Sequence, residues 1–380
     1  MKKLKVLHVV NISFVLPYFI GDQFTYFKDR GLDIHVACTP SKHLFDYSKE
    51  KKFIPFGVNV LREINIIEDI CSIYKISKYI KENKIDVVIG HTPKGGLISM
   101  IAAFVCKLDK RIYFRHGIMF ETSKGLKRSV LVGLEKLAGY LSTQVVCVSQ
   151  SVIDVSNRLR LSDKKKNILL GNGTCNGIDI DFFSKQRVKT ETVNYIRNKY
   201  GIKSSDSVIG YVGRLVNDKG INELIEAWKL IINEFDDIKL LLVGPFEERD
   251  GLSLEVREFI TKHPSIIHTG LIIEVREFYN IMDVFILPSY REGFPTVVLE
   301  ASAMELPVIT TKATGCIDSI INNKTGIFTS LDSLSILSCV SKYMNNPGLA
   351  REHGQNGRAF VVNNFDRKII WKDIEMMLLN

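Results

Sequence analysis

Ten short runs rich in Val, Ile and Leu punctuate this chain, and most of them are unbroken apolar stretches rather than alternating ones. In the first half they are LKVLHVV (4–10), IHVACT (34–39), DVVIGH (86–91), RIYFRH (111–116), VVCVS (145–149) and ILLG (168–171). In the second half they are VIGYVG (208–213), KLLLVG (239–244), VFILPS (284–289) and PVITT (307–311). A sheet with one wet face needs alternation, whereas parallel strands covered by helices on both faces read as continuous apolar runs. The intervening segments carry helical periodicity, and strand–helix–strand units with right-handed crossovers wind into doubly wound sheets. The expectation is an α/β protein made of two Rossmann-like, doubly wound parallel-sheet domains facing each other across a cleft, where ligands meet the carboxyl ends of the strands.

Size agrees with two cores. A chain of 380 residues suits two domains of about 150–200 residues each. The Gly-, Asn- and Asp-rich stretch GNGTCNGIDIDFF (171–183) marks the junction, giving domains 1–182 and 183–364. The closing segment 365–380 carries Ile369, Ile370, Trp371, Ile374 and Met377 at helical spacing. Hydrophobic residues make up 46% and charged residues 24%, the balance of a soluble globular protein. The most apolar stretches, 97–106 and 130–134, fall short of the roughly 20 residues that span a bilayer. Lys2, Lys3 and Lys5 lead straight into a strand-like run, so a cleavable signal peptide is not expected. Seven cysteines without a Cys-x-x-Cys pair read as buried thiols in a reducing cytosol.

Charge is unevenly shared. Residues 1–190 hold 31 Lys+Arg against 17 Asp+Glu, net +14, and residues 191–380 hold 20 against 25, net −5, which together give the +9 of the whole chain. A basic first half points to an anionic partner there. The basic residues are not interleaved with aromatics in a recognisable nucleic-acid module, so the candidates are a phospholipid surface or a lipid diphosphate, with simple solvated surface lysine as the alternative.

Two segments of the second half carry the chemistry. In GRLVNDKG (213–220), Arg214 and Lys219 sit in the turn between a strand and a helix. Arg offers phosphate oxygens a planar fork, Lys a mobile point charge. In REGFPTVVLEA (291–301), Gly293 permits close backbone approach and Pro295 suits a first helical turn. The helix start places the N–H groups of Phe294, Thr296 and Val297 where an anion or hydroxyl can bind. Glu292 precedes this helix and Glu300 lies inside it, so one ligand reaches both only if it is long, as a nucleotide sugar is. In the first half, HTPKGG (91–96) and FRHG (114–117) each follow a strand and end in glycine. They place His91 and His116 at carboxyl ends of strands, with Lys94, Arg115 and Glu121 as further acceptor-side candidates. The pair Asp179 and Asp181 resembles an Asp-x-Asp metal site but falls at the domain junction. No Walker motif, no G-x-G-x-x-G after the first strand and no His/Cys metal spacing occur.

The sequence resembles retaining glycosyltransferases of family 4, which have the GT-B fold, and within them the bacterial capsular and O-antigen polysaccharide branch. The likeness rests on HTPKGGLISMIAA, the RHG turn, VVCVSQSV, GNGTCNGID, GRLVNDKG, LPSYREGFPTVVLEASAMELPVI and ATGCIDSIINNKTG. It implies that Arg214, Lys219 and Gly213 hold the donor diphosphate and that Glu300 takes the ribose. Glu292 would contact the sugar hydroxyls, the backbone of Gly293, Phe294, Pro295 and Thr296 would touch sugar and phosphate, and His116 would lie near the donor sugar. It also implies a terminal helix crossing back to the first domain. One departure stands out: the glycine-rich loop of many relatives is replaced by NISFVLPYFIG (11–21). Its Phe14, Leu16, Tyr18 and Phe19 fit either ordinary core packing or a hydrophobic helix staple, or an exposed surface that could meet a lipid-linked acceptor.

The function expected is transfer of a hexose or N-acetylhexosamine from a UDP-sugar to a polyprenyl-diphosphate-linked saccharide, with retention and without metal or cofactor. The enzyme would work in the cytoplasm, docked by its basic first domain on the anionic inner face of the plasma membrane. A UDP-sugar epimerase, a phosphorylase or a catalytically idle nucleotide-sugar-binding subunit would use similar parts.

Overall fold

A computed structural model describes residues 3–61, 63 and 65–379; Lys2, named above, lies outside them. The chain forms two compact units. One comprises the chain up to Gly177 with the segment from Lys368 onward, the other Ile178–Arg367.

The first unit holds a sheet of seven parallel strands: β1 (Lys5–Val9), β2 (Asp33–Cys38), β3 (Ile54–Gly57), β4 (Val87–His91), β5 (Lys110–Arg115), β6 (Gln144–Cys147) and β7 (Asn167–Ile168), in the order β3-β2-β1-β4-β5-β6-β7. The second holds six: β8 (Ser207–Val212), β9 (Ile238–Val243), β10 (Ile266–Gly270), β11 (Val284–Leu287), β12 (Val308–Thr311) and β13 (Gly326–Thr329), in the order β10-β9-β8-β11-β12-β13. Both orders reverse direction once, between β1 and β4 and between β8 and β11. Just outside the strand ends at such a reversal, the two crossovers diverge and leave room for a ligand.

All ten sequence-derived strands have a counterpart, although ILLG overlaps the two-residue β7 only at Ile168. Three strands, β3, β10 and β13, have no counterpart among them. Every one of the three lies at a sheet edge. An edge strand pairs on one side and is partly wetted, so it lacks the unbroken apolar run. β3 even contains Pro55, which a ladder tolerates at an edge. The central strands behave as read: β4 is buried throughout, and so is β8 after its first residue.

The last helix, Arg367–Leu379, buries Ile370, Trp371, Ile374, Met377 and Leu378, while Ile369 is exposed. Its Trp371 indole N–H donates to the Asn176 carbonyl at 2.9 Å, and Tyr26 donates to Glu375 at 2.9 Å. These partners explain why the helix belongs with the first unit. At the crossing, the Ile178 N–H donates to the Phe365 carbonyl and the Arg367 N–H to the Ile178 carbonyl. Asp179 is absorbed by the same corner. Its carboxylate accepts from the N–H groups of Asp181 and Phe182 and pairs with Arg367 at 2.9 Å, a structural use of an Asp-x-Asp sequence.

Candidate active site

In the second unit the chain leaves β8 at Gly213 and β11 at Pro288, on either side of the strand reversal. Two backbones approach there at glycine only. Gly220 has φ +69°, and a Cβ on it would lie 1.9 Å from the Pro288 carbonyl oxygen. Gly244, at φ +147°, would put a Cβ 1.9 Å from the Gly213 carbonyl oxygen. Hydrogen bonds lace the two loops together. The Asp218 carbonyl accepts from the Tyr290 N–H at 2.9 Å and from the Ser289 hydroxyl at 3.1 Å, and the Asp218 carboxylate pairs with Arg291.

This lacing brings the Lys219 ammonium against the Glu292 carboxylate across 73 residues of sequence. Arg214 stands half exposed, its guanidinium 2.6 Å from Glu247, while its carbonyl accepts from the buried Tyr211 hydroxyl at 2.8 Å. The two cations of this loop are thus each countered by a carboxylate. Beneath them Cys316 is buried, its thiol pushed up to about 12 by desolvation, so it stays protonated and inert.

The helix after this loop is Thr296–Ala303, with Pro295 at its N-cap position, one step earlier than the first-turn placement expected. The Phe294 side chain packs in an apolar cluster with Phe365, ring centroids 5.2 Å apart, which leaves its backbone as the part a ligand can touch. Glu300 lies within the helix and accepts from the Tyr279 hydroxyl at 2.8 Å. Burial pushes its carboxyl up to about 7, against the charged form. Glu292 and Glu300 therefore serve two different points of the site.

In the first unit the corresponding reversal lies between β1 and β4. His91 is the last residue of β4 and His116 follows β5. They are joined by a third ring, His8 of β1. His8 Nδ1 lies 3.0 Å from His91 Nε2, and His91 Nδ1 lies 2.9 Å from His116 Nε2. Phe19 stacks on His116 with centroids 3.8 Å apart and planes at 7°. Desolvation lowers all three histidines, His8 and His116 to about 3 and His91 well below its ordinary value. Burial thus disfavours the charged form of all three rings.

One expectation for this unit is corrected. Arg115 does not face a ligand: it is fully buried and pairs with Glu135 at 3.0 Å, with Ser162 at 3.2 Å and Ser156 also bonded. It ties β5 to the helices Gly125–Leu141 and Gln150–Arg158. Lys94 pairs with Asp69 at 2.6 Å and donates to the Glu63 carbonyl at 2.7 Å. Of the four apolar loop residues, whose packing the sequence left open, Leu16 is buried outright and Phe19 is taken up by His116, whereas Phe14 and Tyr18 are exposed and pack on each other at 5.6 Å. Glu121 sits half-buried in the short turn Met119–Thr122.

His8, Glu247, Tyr211 and Tyr279 were not read from the sequence. Only His8 left a signal, as a polar residue between Val6, Leu7 and Val9 of an apolar strand. Among the described residues no three His, Cys, Asp or Glu side chains converge as a metal set, and no helix is long and apolar enough to cross a membrane.

Known proteins resemble this chain along most of its length. The family of glycosyl transferases group 1 matches residues 193–360, and the glycosyl transferase 4-like family matches residues 5–149. A capsular polysaccharide biosynthesis glycosyltransferase of Staphylococcus aureus, CapM, is 35% identical over 379 residues, covering 99% of this chain and 97% of that protein. A UDP-Gal:α-D-GlcNAc-diphosphoundecaprenol α-1,3-galactosyltransferase of Escherichia coli is 26% identical, covering 96% of this chain and 94% of that one. Among solved structures, Anabaena HepE in complex with UDP-glucose shares the fold at a TM-score of 0.82 and 18% identity, with 99% of each chain covered.

Proposed function

Because the chain belongs to the group 1, family 4-like glycosyltransferases and has their two-sheet architecture, we propose that it moves a hexose or N-acetylhexosamine from a UDP-sugar to a polyprenyl-diphosphate-linked saccharide, with retention of configuration. The observation that carries this reading is the Lys219–Glu292 pair beside Arg214 at the strand reversal of the second sheet. A diphosphate entering there draws Lys219 from Glu292 and Arg214 from Glu247. Each new charge-assisted bond is worth roughly 1.5–3 kcal/mol. Glu292, released, turns to the sugar hydroxyls, and Glu300 accepts from the ribose. The names of the S. aureus and E. coli relatives support a surface-polysaccharide role and an acceptor on a lipid diphosphate.

As the bond between the anomeric carbon and the diphosphate oxygen breaks, the two cations and the start of the helix Thr296–Ala303 neutralise the departing charge. Preorganised electrostatics of this kind commonly supply several kcal/mol of barrier lowering. The acceptor hydroxyl bonds to the anomeric carbon from the leaving-group face, and its proton passes to the departing diphosphate. No protein base and no metal enter this scheme. Activity unchanged by EDTA supports the metal-free part, and loss restored by a divalent cation removes it.

Docking at the inner face of the plasma membrane is part of the proposal. The helix Gly125–Leu141 turns Leu126, Val130, Leu137 and Tyr140 to solvent, Leu126 81% exposed, flanked by exposed Lys124, Lys127, Arg128 and Lys136. An apolar stripe between cations fits the interface of an anionic bilayer, where each cation contributes on the order of 1 kcal/mol. Sedimentation with anionic vesicles but not with neutral ones is expected, weakened by Leu126→Asp; equal binding to both vesicle types sinks this part.

The central test is UDP release from a panel of UDP-, GDP- and dTDP-sugars, with and without an undecaprenyl-diphosphate-linked sugar. Acceptor-dependent UDP release supports transfer. Isomerised sugar without UDP release supports an epimerase, and UDP binding without donor consumption an idle subunit.

A further inference from the structure

The first unit's three imidazoles form an ordered chain, and its far end fixes what its near end can do. His8 Nδ1 meets His91 Nε2 and His91 Nδ1 meets His116 Nε2. A neutral imidazole carries one N–H and one lone pair, so His91 donates one of these bonds and accepts the other. Only two arrangements exist. In one, N–H groups point from His8 to His91 to His116. In the other, every proton is reversed.

His8 decides between them. Its Nε2 is buried and has no hydrogen-bond partner among the described residues, and the His8 and Phe24 rings meet edge to face with centroids 6.0 Å apart and planes at 76°. In the reversed arrangement Nε2 bears a proton, leaving a buried N–H unsatisfied. In the forward arrangement it bears only a lone pair, and buried orphan acceptors are better tolerated than buried orphan N–H groups. The forward order makes His116 accept at Nε2 and therefore carry its proton on Nδ1.

We propose that His8 and His91 are positioning residues that lock His116 as a neutral imidazole with an Nδ1–H donor, unable to accept a proton at Nδ1. Phe19, stacked on His116, holds the ring plane in which that N–H points. A base at this position is excluded by the lock, since Nδ1 already holds a proton and taking another at Nε2 breaks the bond from His91. His116 is thereby suited to an oxygen that gains electron density, such as a sugar hydroxyl or a departing phosphate oxygen. This use of the donor N–H rests on the glycosyl-transfer reading; the lock itself does not.

The test begins with the wild-type protein labelled with ring-¹⁵N histidine. Long-range ¹H–¹⁵N correlation should show His8, His91 and His116 with protonated, pyrrole-like Nδ1 and pyridine-like Nε2, assigned by loss of signals in His116→Gln and His8→Asn. An Nε2–H form of His116, or a charged ring at neutral pH, overturns the proposal, whatever the protein transfers. The second arm compares His8→Asn, whose amide N–H replaces the Nδ1 donor, with His8→Phe, which fills the space without a donor. His8→Phe should release His116 into the Nε2–H form and lower acceptor-dependent UDP release roughly tenfold, with UDP affinity unchanged. His8→Asn should keep both tautomer and rate. Equal rates in the two variants overturn the functional part. No transfer by the wild-type protein, with the Nδ1–H form of His116 still observed, counts against the glycosyl-transfer reading and leaves the lock standing.

Discussion

Two arginines, each beside a glycine-bearing turn after a strand, have opposite fates. Arg214 follows β8, stands half exposed and meets a single carboxylate that a ligand can displace. Arg115 ends β5, is fully buried and is bonded to Glu135, Ser156 and Ser162. The first is poised to exchange partners; the second has none to give up. The same contrast separates the two candidate regions. The second unit's site is built of the ion-paired side chains of Lys219 and Glu292, suited to a diphosphate. The first unit's histidine cluster is a hydrogen-bonded stack in which burial disfavours charge, suited to donating one hydrogen bond in one direction.

Exchanging the arginines for neutral residues should split these roles most widely. Arg115→Ala leaves Glu135 buried and uncompensated, and a loss of about 3–5 kcal/mol of stability is expected, read as a large fall in thermal midpoint. Arg214→Ala should leave the midpoint nearly unchanged and weaken UDP binding; a stable Arg115→Ala protein would erase the distinction. Gly220→Ala comes next, combining a left-handed backbone with a clash against Pro288, at a cost of about 3 kcal/mol. A normal midpoint and normal UDP affinity in this variant would show that the two loops are not held by that close approach.

Lys219→Ala and Glu292→Ala should each lower turnover at least about tenfold, roughly 1.4 kcal/mol, while circular dichroism and thermal midpoint stay near wild type. Wild-type turnover in both would remove the charged pair from the site. The smallest effect concerns pH. Glu300 is raised to about 7 in the folded protein, and a ribose needs it ionised, so UDP affinity should fall as pH drops below 7, and Glu300→Gln should flatten that dependence. The stability term has the opposite sense: a raised carboxyl favours folding at low pH, and that contribution is lost as pH rises through 7. A pH-independent UDP affinity in the wild type would assign Glu300 to packing alone.

How much was legible follows from how local each signal is. Ten apolar runs, the helix beginning near Pro295 and the paired loops at 213–220 and 289–301 are written in residues close in sequence, where backbone periodicity and turn chemistry act directly. So the two doubly wound sheets and the positions of Arg214, Lys219, Glu292 and Glu300 could be read without coordinates. β3, β10 and β13 could not, since an edge strand is defined by the neighbour it lacks. Nor could the partners be read: Lys219 meets Glu292, Arg115 meets Glu135, and His8 meets His91 83 residues away. Strand order and register set those meetings. A side chain's type says what it can bond to, but whether it is buried beside a carboxylate or open to a ligand depends on which distant segment packs over it, and only the folded arrangement decides that.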